Sequence, residues 1–383
     1  MTEAYIVDAV RTPTGKKGGG LAHVHPADFG AHVMAALIDR TGVDPGAVDD
    51  VVFGTVDALG PNAANVTRTA WLTAGFPESV PATTVDRQCG SSQQAVHFAA
   101  QAVMSGSMDV VVAGGLQNMS LIPFGHSSFA AEPFGIPDPW TTSPGFTARY
   151  GKHLANQFLS ANEIARQWGI SREDMEQFSF ESHRRAVRAI DDGRFDNEVV
   201  AFEGVTVDEG PRRDSTLEKM ATLKPVVEGT EITAAVSSQM SDAAGALLVV
   251  SEQGLADHGL TPRARVHHMT VAGADYRLML TGPLAATERA LAKTGMAIDD
   301  IDLFEVNEAF ASVPLAWLAE TGADPDRLNV NGGAIALGHP IGATGVKLMA
   351  TLLNELERTG GRYGLETVCE NGGLANLTII ERL

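Results

Sequence analysis

Short apolar runs rich in β-branched residues alternate along this chain with longer stretches in which apolar residues return every three or four positions. The first pattern predicts buried strands and the second amphipathic helices, so the alternation predicts an α/β fold. A first strand is expected at Ala4–Val10, with others at Asp50–Gly54, Ala82–Val85, Asp109–Ala113, Leu303–Val306 and Leu377–Ile380. After Cys89, the positions Ala95, Phe98, Ala99, Ala102 and Val103 mark a helix that Ser105-Gly106 should end. After His339, the positions Val346, Met349, Ala350, Leu353 and Leu356 mark another, ended by Thr359-Gly360. Cys89 and His339 are therefore expected at or near strand-to-helix junctions.

The pattern also repeats. Thr41-Gly42-Val43 leads through Val48-Asp49-Asp50 to Val51-Val52-Phe53-Gly54, and Thr294-Gly295-Met296 leads through Ile301-Asp302-Leu303 to Phe304-Glu305-Val306-Asn307. Two related α/β halves are expected, over residues 1–252 and 262–383. The plainer reading is two unrelated helix–strand units with similar turns. Residues from about 119 to 240 break the rhythm. They begin with Phe124, Phe129, Pro133, Phe134, Pro137, Pro139, Trp140, Pro144 and Phe146, and continue into helical stretches at Asn162–Trp168 and Arg172–Ile190. Long loops of this kind are usually functional, so the segment is read as an insertion in the first half that folds over the site as a lid.

A length of 383 residues allows two or three domains with ample core. The formal charge of −19 argues against nucleic acid and anionic membranes as partners, and an anionic ligand would need a local basic patch. Two cysteines far apart in sequence do not make a disulfide scaffold, and free thiols fit a reducing cytoplasm. No basic and apolar leader precedes the first strand, so no signal peptide is expected. Val110 to Ala131 carries no charge, but Gly114, Gly115, Gln117, Asn118, Pro123 and His126 make it a poor membrane span.

The candidate chemistry lies in three glycine-rich turns. Cys89 stands in Gln88-Cys89-Gly90-Ser91-Ser92-Gln93-Gln94, too polar for a core strand. At a helix N-terminus its thiolate would be favoured, which suits a nucleophile; the plainer role is a small buried hydrophobe. His339 follows Gly338 and precedes Pro340, which confines its backbone to extended conformations. His23, His25, His267 and His268 read as surface or turn residues without the spacing of a metal site. Cys369, in Val368-Cys369-Glu370-Asn371-Gly372-Gly373, is expected at the tip of a hairpin. Asn307, in Val306-Asn307-Glu308-Ala309-Phe310, could orient a water or a carbonyl, or cap a helix.

Together these turns resemble the thiolase family of acetyl-CoA acyltransferases, over nearly the whole chain. Asn331 to Gly345 is the most specific piece, and Val85–Ala95 is similar to degradative thiolases of actinobacterial type. The resemblance implies a five-layer α/β/α/β/α fold and cleavage of a 3-ketoacyl-CoA by CoA, in fatty-acid or steroid degradation. In it His339 activates Cys89, which takes the acyl group, and Cys369 serves as the second acid/base. One oxyanion hole is implied at His339 and a water held by Asn307, and another at the backbone N–H groups of Cys89 and Asn371. Family members usually carry glycine where this chain has Asn371. Ser238, Ala309 and Phe310 are implied beside the pantetheine arm of CoA, Met279 near the thioester, and Arg212 near the adenine nucleotide, with Arg213, Lys219 and Lys224 extending the basic patch. The resemblance implies CoA as co-substrate, no covalently bound cofactor, and a homodimer or homotetramer.

Four rivals differ in testable ways. A biosynthetic acetoacetyl-CoA thiolase would share the three catalytic turns, but the run Gln88–Ala95 resembles degradative thiolases more. A non-catalytic acyl-CoA-binding relative would lack turnover, against which the three intact turns argue. A decarboxylating β-ketoacyl synthase would not need Cys369, and a zinc or redox protein would be expected to show a CxxC motif.

Overall fold

A computed structural model describes residues 2–152 and 156–383. Among these, ten strands form one sheet: β1 (Tyr5–Arg11), β2 (Gly15–Lys16), β3 (Asp50–Gly54), β4 (Ala82–Val85), β5 (Val110–Asn118), β6 (Ser241–Val250), β7 (Ala264–Gly273), β8 (Leu303–Val306), β9 (Tyr363–Glu370) and β10 (Leu374–Arg382). Their order is β4-β3-β5-β6-β1-β7-β10-β9-β8, with the short β2 against β6. β3 pairs in parallel with β4 and β5, and β8 with β9; the other pairings are antiparallel.

The two ends of this sheet share one plan. Counted in chain order without β2, the first half is ordered 3-2-4-5-1, and the second half 2-4-5-1. The third strand of the second half is reduced to a single parallel bridge between Phe304 and Leu328. The matched turns obey the same physics. The helices Pro26–Thr41 and Gly282–Thr294 both end on a left-handed glycine, Gly42 or Gly295, followed by a 3-10 turn and a strand.

Five layers result. The helices Ser91–Met104 and Thr344–Thr359 lie between the two halves of the sheet, where Ala95, Val96, Ala99 and Val103 of one meet Val346, Met349, Ala350 and Leu353 of the other. Small residues on the first helix let the two approach closely. Outer helices cover the far faces: Pro26–Thr41 and Val66–Thr73 pack with Phe53, Val112 and Leu248, while Gly282–Thr294 and Ser312–Thr321 pack with Phe304, Leu377 and Ile379. Trp317 is fully buried there, edge-on to Phe304, and donates to Thr287 Oγ1 at 2.9 Å, so burying its indole leaves no orphan donor.

β5 runs past the expected end at Ala113 to Asn118, because Gly114 and Gly115 do not interrupt it. A side chain at Gly115 would collide with the carbonyl of Gly342, so this glycine admits the His339 loop rather than breaking the strand. The first part of the uncharged run, Val110–Asn118, is thus an interior strand, and no described helix is long and apolar enough to cross a membrane. His267 and His268 lie in β7, not in a turn.

Candidate functional site

β4 ends at Val85, and the chain must reverse into the helix Ser91–Met104 within a few residues. Gln88 absorbs the reversal with φ +50°, uncommon for a residue other than glycine. Hydrogen bonds hold it: Gln88 N–H donates to Asp86 Oδ1 at 2.8 Å, Arg87 N–H to Ser91 Oγ at 2.9 Å, and Ser91 Oγ to the Gln88 carbonyl at 2.6 Å. Cys89 is thereby fixed and buried among Val56, Met119, Ile341, Leu348 and Val368. The resting group is the thiol. Burial, then the charge of Glu370, pushes the thiol up to about 12. Opposing this, the backbone N–H groups of Asn371 and of Cys89 itself are directed at the sulfur.

His339 is also buried, and burial, then the charge of Lys347, lowers it to about 3, so its resting form is neutral. Its tautomer follows from its neighbour. Thr344 Oγ1 has one proton, which it donates to the Pro340 carbonyl at 3.0 Å. At 2.7 Å from His339 Nδ1 it must therefore accept, which places the ring proton on Nδ1 and leaves Nε2 with a free lone pair. Asn307 Nδ2 approaches that Nε2 at 3.5 Å, and Asn307 Oδ1 is buried with no protein partner among the described residues. Asn307 is not a helix cap. It follows β8 and donates its backbone N–H to Thr367 of β9 at 3.0 Å, and the next helix begins only at Ser312 with Ala311 as its cap.

Cys369 lies inside β9, opposite Ala375 of β10, and not at the hairpin tip. At 1 % exposure it packs with Met279, Ala309, Phe310 and Ile335. Burial, then the nearness of Cys89 and Glu370, raises its thiol well above the ordinary range. The turn itself takes its left-handed residues from Gly372 (φ +88°) and Gly373 (φ +77°). Asn371 is not left-handed, so a side chain there costs no backbone strain.

The two thiols are thus close enough for each other's charge to matter, and the Asn307 amide stands beside the imidazole. Met279, Ala309 and Phe310 share one buried cluster with Cys369, and Met279 holds a strained φ of +32°. Ser238 is tied to the same segment, its N–H donating to the Ala309 carbonyl at 3.0 Å. Arg212 lies farther out, in a cleft of about 230 Å³ with His183, Lys219, Ala235, Gln239 and Ile335. The cleft reaches the imidazole loop at Gln239, whose carbonyl accepts from His339 N–H at 2.9 Å. The basic patch is smaller than expected, because Arg213 is paired with Asp191 and Lys219 with Asp214.

A second cleft, of about 250 Å³, opens beside Gln88 and Asn371. The 119–240 segment supplies Phe124, Phe129, Trp140 and Phe158 to its wall. Phe134 and Phe146 do not contribute: Phe134 is 84 % exposed, and Phe146 packs on Tyr150 and Tyr276. Sequence patterns also passed over Gln88, Glu370, Thr344 and Lys347. The one available signal was a lysine amid the apolar stripe Val346–Leu353, since a cation on a buried helix face needs partners.

The chain matches the family model "Thiolase, N-terminal domain" over residues 4–253 and "Thiolase, C-terminal domain" over residues 260–382. It is 58 % identical to the steroid 3-ketoacyl-CoA thiolase FadA6 of Mycobacterium tuberculosis, over all of this chain and 95 % of that one. It is 40 % identical to a 3-ketoacyl-CoA thiolase of Aliivibrio salmonicida over the full length of both. A crystal structure of the Bacillus anthracis acetyl-CoA acetyltransferase superposes with a TM-score of 0.87 at 34 % identity, covering all of this chain and 99 % of the other.

Proposed function

The chain belongs to the thiolase family, and from that premise we propose that it is an acyltransferase that cleaves a bulky 3-ketoacyl-CoA with CoA, in steroid or fatty-acid degradation. The observation that carries the reading is the convergence of two buried thiols, with the Asn371 N–H directed at the sulfur of Cys89.

The chemistry starts from neutral groups. The thiol proton of Cys89 passes to His339 Nε2 as the thiolate attacks the 3-keto carbon. Separating a thiol held near 12 from an imidazole held near 3 is uphill, so the ion pair forms only together with bond formation, each charge offsetting the other. Buried donors meet the oxyanion, and losing one such donor typically costs about 2.7–4 kcal/mol. The bond between C2 and C3 then breaks, and its electrons leave on C2 as the enolate of acetyl-CoA. Cys369 gives its proton to C2, which releases acetyl-CoA. The Cys369 thiolate takes the proton of incoming CoA, whose sulfur attacks the acyl group on Cys89. Cys89 departs as the thiolate and regains its proton from His339. No covalently bound cofactor enters the cycle; CoA is the co-substrate.

Met279, Ala309 and Phe310 pack with Cys369, and Ser238 binds Ala309, which supports a pantetheine arm beside them, and the outer cleft at Arg212 supports the nucleotide end there. The aromatic cleft beside Gln88 supports the acyl specificity, since Phe124, Phe129, Trp140 and Phe158 offer broad apolar contact. A homodimer or homotetramer is supported by β4, a half-exposed strand at the open edge of the sheet. Two free thiols are in keeping with the cytoplasm.

A graded series of 3-ketoacyl-CoA substrates tests the proposal. kcat/KM should rise from acetoacetyl-CoA toward long-chain or ring-bearing substrates, by up to about 0.8 kcal/mol for each buried methylene. Equal or better use of acetoacetyl-CoA would leave a short-chain thiolase instead.

A further inference from the structure

Thr344 and Lys347 stand three residues apart in the first turn of the helix Thr344–Thr359, on one face. Both reach back to the loop that carries His339. Thr344 Oγ1 accepts the imidazole Nδ1–H at 2.7 Å and donates to the Pro340 carbonyl at 3.0 Å, so a single hydroxyl grips the ring and the residue after it. Lys347, only 3 % exposed, donates from Nζ to the carbonyls of Leu337 at 2.7 Å and Gly338 at 3.3 Å, the two residues before the ring. Gly338 holds φ +88° and meets Ser241 so closely that a side chain there would collide with it. The loop is therefore pinned from both sides of His339 by one helical turn.

The charged surroundings of Lys347 are equally built. Asp208, Glu198, Glu305 on β8 and Arg11 on β1 all act on it. Arg11 itself bridges Glu198 at 2.6 Å and Asp208 at 2.8 Å. An ammonium buried so deeply is costly, and burial lowers Lys347 to about 7; its hydrogen-bond partners are the two loop carbonyls. Nothing in the reaction places Lys347 against substrate.

We propose that Thr344 and Lys347 are positioning residues for the base: Thr344 fixes the Nδ1–H tautomer so that Nε2 is left unprotonated, and Lys347 anchors the loop on the other side of the ring and sets a positive charge near it. The proposal rests on His339 being the base of the proposed reaction. Its electrostatic part has a definite sign. Lys347 is the charged neighbour that lowers His339, so removing that charge lets the ring hold its proton more tightly, and the acid limb of kcat/KM moves to higher pH.

The test is a two-bond proton–nitrogen correlation spectrum of protein labelled with ¹⁵N-histidine. The His339 signals are identified among the eleven histidines by their loss in His339→Gln. The wild type should show the proton on Nδ1. Thr344→Val, which keeps the shape of the side chain, should give a mixed tautomer and lower kcat by roughly 10²-fold, with KM changed by less than about twofold. Thr344→Ser should restore both. Lys347→Arg should keep the wild-type pH profile, and Lys347→Met should raise its acid limb. If Lys347→Met does not fold, the threonine variants still decide the proposal. An Nε2–H tautomer in the wild type, or a Thr344→Val enzyme with unchanged tautomer and kcat, overturns it. Full turnover by His339→Gln would instead sink the base assignment while leaving the tautomer measurement intact, so the two failures are distinguishable.

Discussion

Cys89 sits in a turn forced into a left-handed bend at Gln88, at the mouth of a helix; Cys369 sits in a regular strand with a paired neighbour. Both thiols are buried, and both are raised. What separates them is the set of donors around each sulfur. The Cys89 sulfur faces its own N–H and that of Asn371 from the opposite turn, whereas only its own N–H favours an anion at Cys369. The lesson is that burial alone does not sort nucleophile from acid. A site that must carry negative charge needs donors brought from elsewhere in the fold, and a site that must hold a proton is better without them.

The strongest way to break this comparison is to remove the proton donor. Cys369→Ala should lower thiolysis by roughly 10²–10⁴-fold, the range for a positioned acid/base, while acyl-CoA still acylates Cys89 in a single burst. A parallel loss of acylation would mean that both cysteines act in the first step and the contrast is false.

Glu370 offers a sharper cut, because its charge raises both thiols. Burial lifts its carboxyl to about 8, against the pull of Arg87, so its folded value lies above its unfolded one. Stability from the neutral form is complete at low pH and is lost as pH rises through about 8. Glu370→Gln, neutral at every pH, should melt near wild type at pH 5 and above it by at least about 2 °C at pH 8. The same variant should alkylate faster at Cys89 above pH 8. A Tm difference that stays flat with pH would remove Glu370 from the account.

The smallest effect is expected at Asn371. Its contribution is a backbone N–H, and its φ needs no glycine, so Asn371→Gly should change kcat by less than about tenfold, or 1.4 kcal/mol. A larger loss would show that the amide side chain takes part.

How much of this was readable beforehand follows the same division. Strands β3, β4 and β8 lie where the apolar runs predict them, and the helices after Cys89 and His339 end at the expected residues, because periodicity reports burial directly. Cys89, His339 and Cys369 stood out as polar or reactive residues in glycine-rich turns. The state of the thiols was not readable. It depends on Glu370 packed behind Gly90, where any side chain would collide with it, and on the Asn371 N–H arriving from far along the chain. Asn307 read equally as a helix cap because its neighbours fit one, and only the distance to Ser312 excludes it. Thr344 and Lys347 looked like ordinary helix residues, since a hydrogen bond to a loop leaves no period in the sequence.

The central claim is that Cys89 carries the acyl group and Cys369 does not. Acid quenching during turnover, digestion and mass spectrometry of the two cysteine-bearing peptides tests it most directly. The account predicts acyl mass on the Cys89 peptide alone, persisting in Cys369→Ala and absent in Cys89→Ala. Acyl mass on the Cys369 peptide, with Cys89 unmodified, would reverse the assignment.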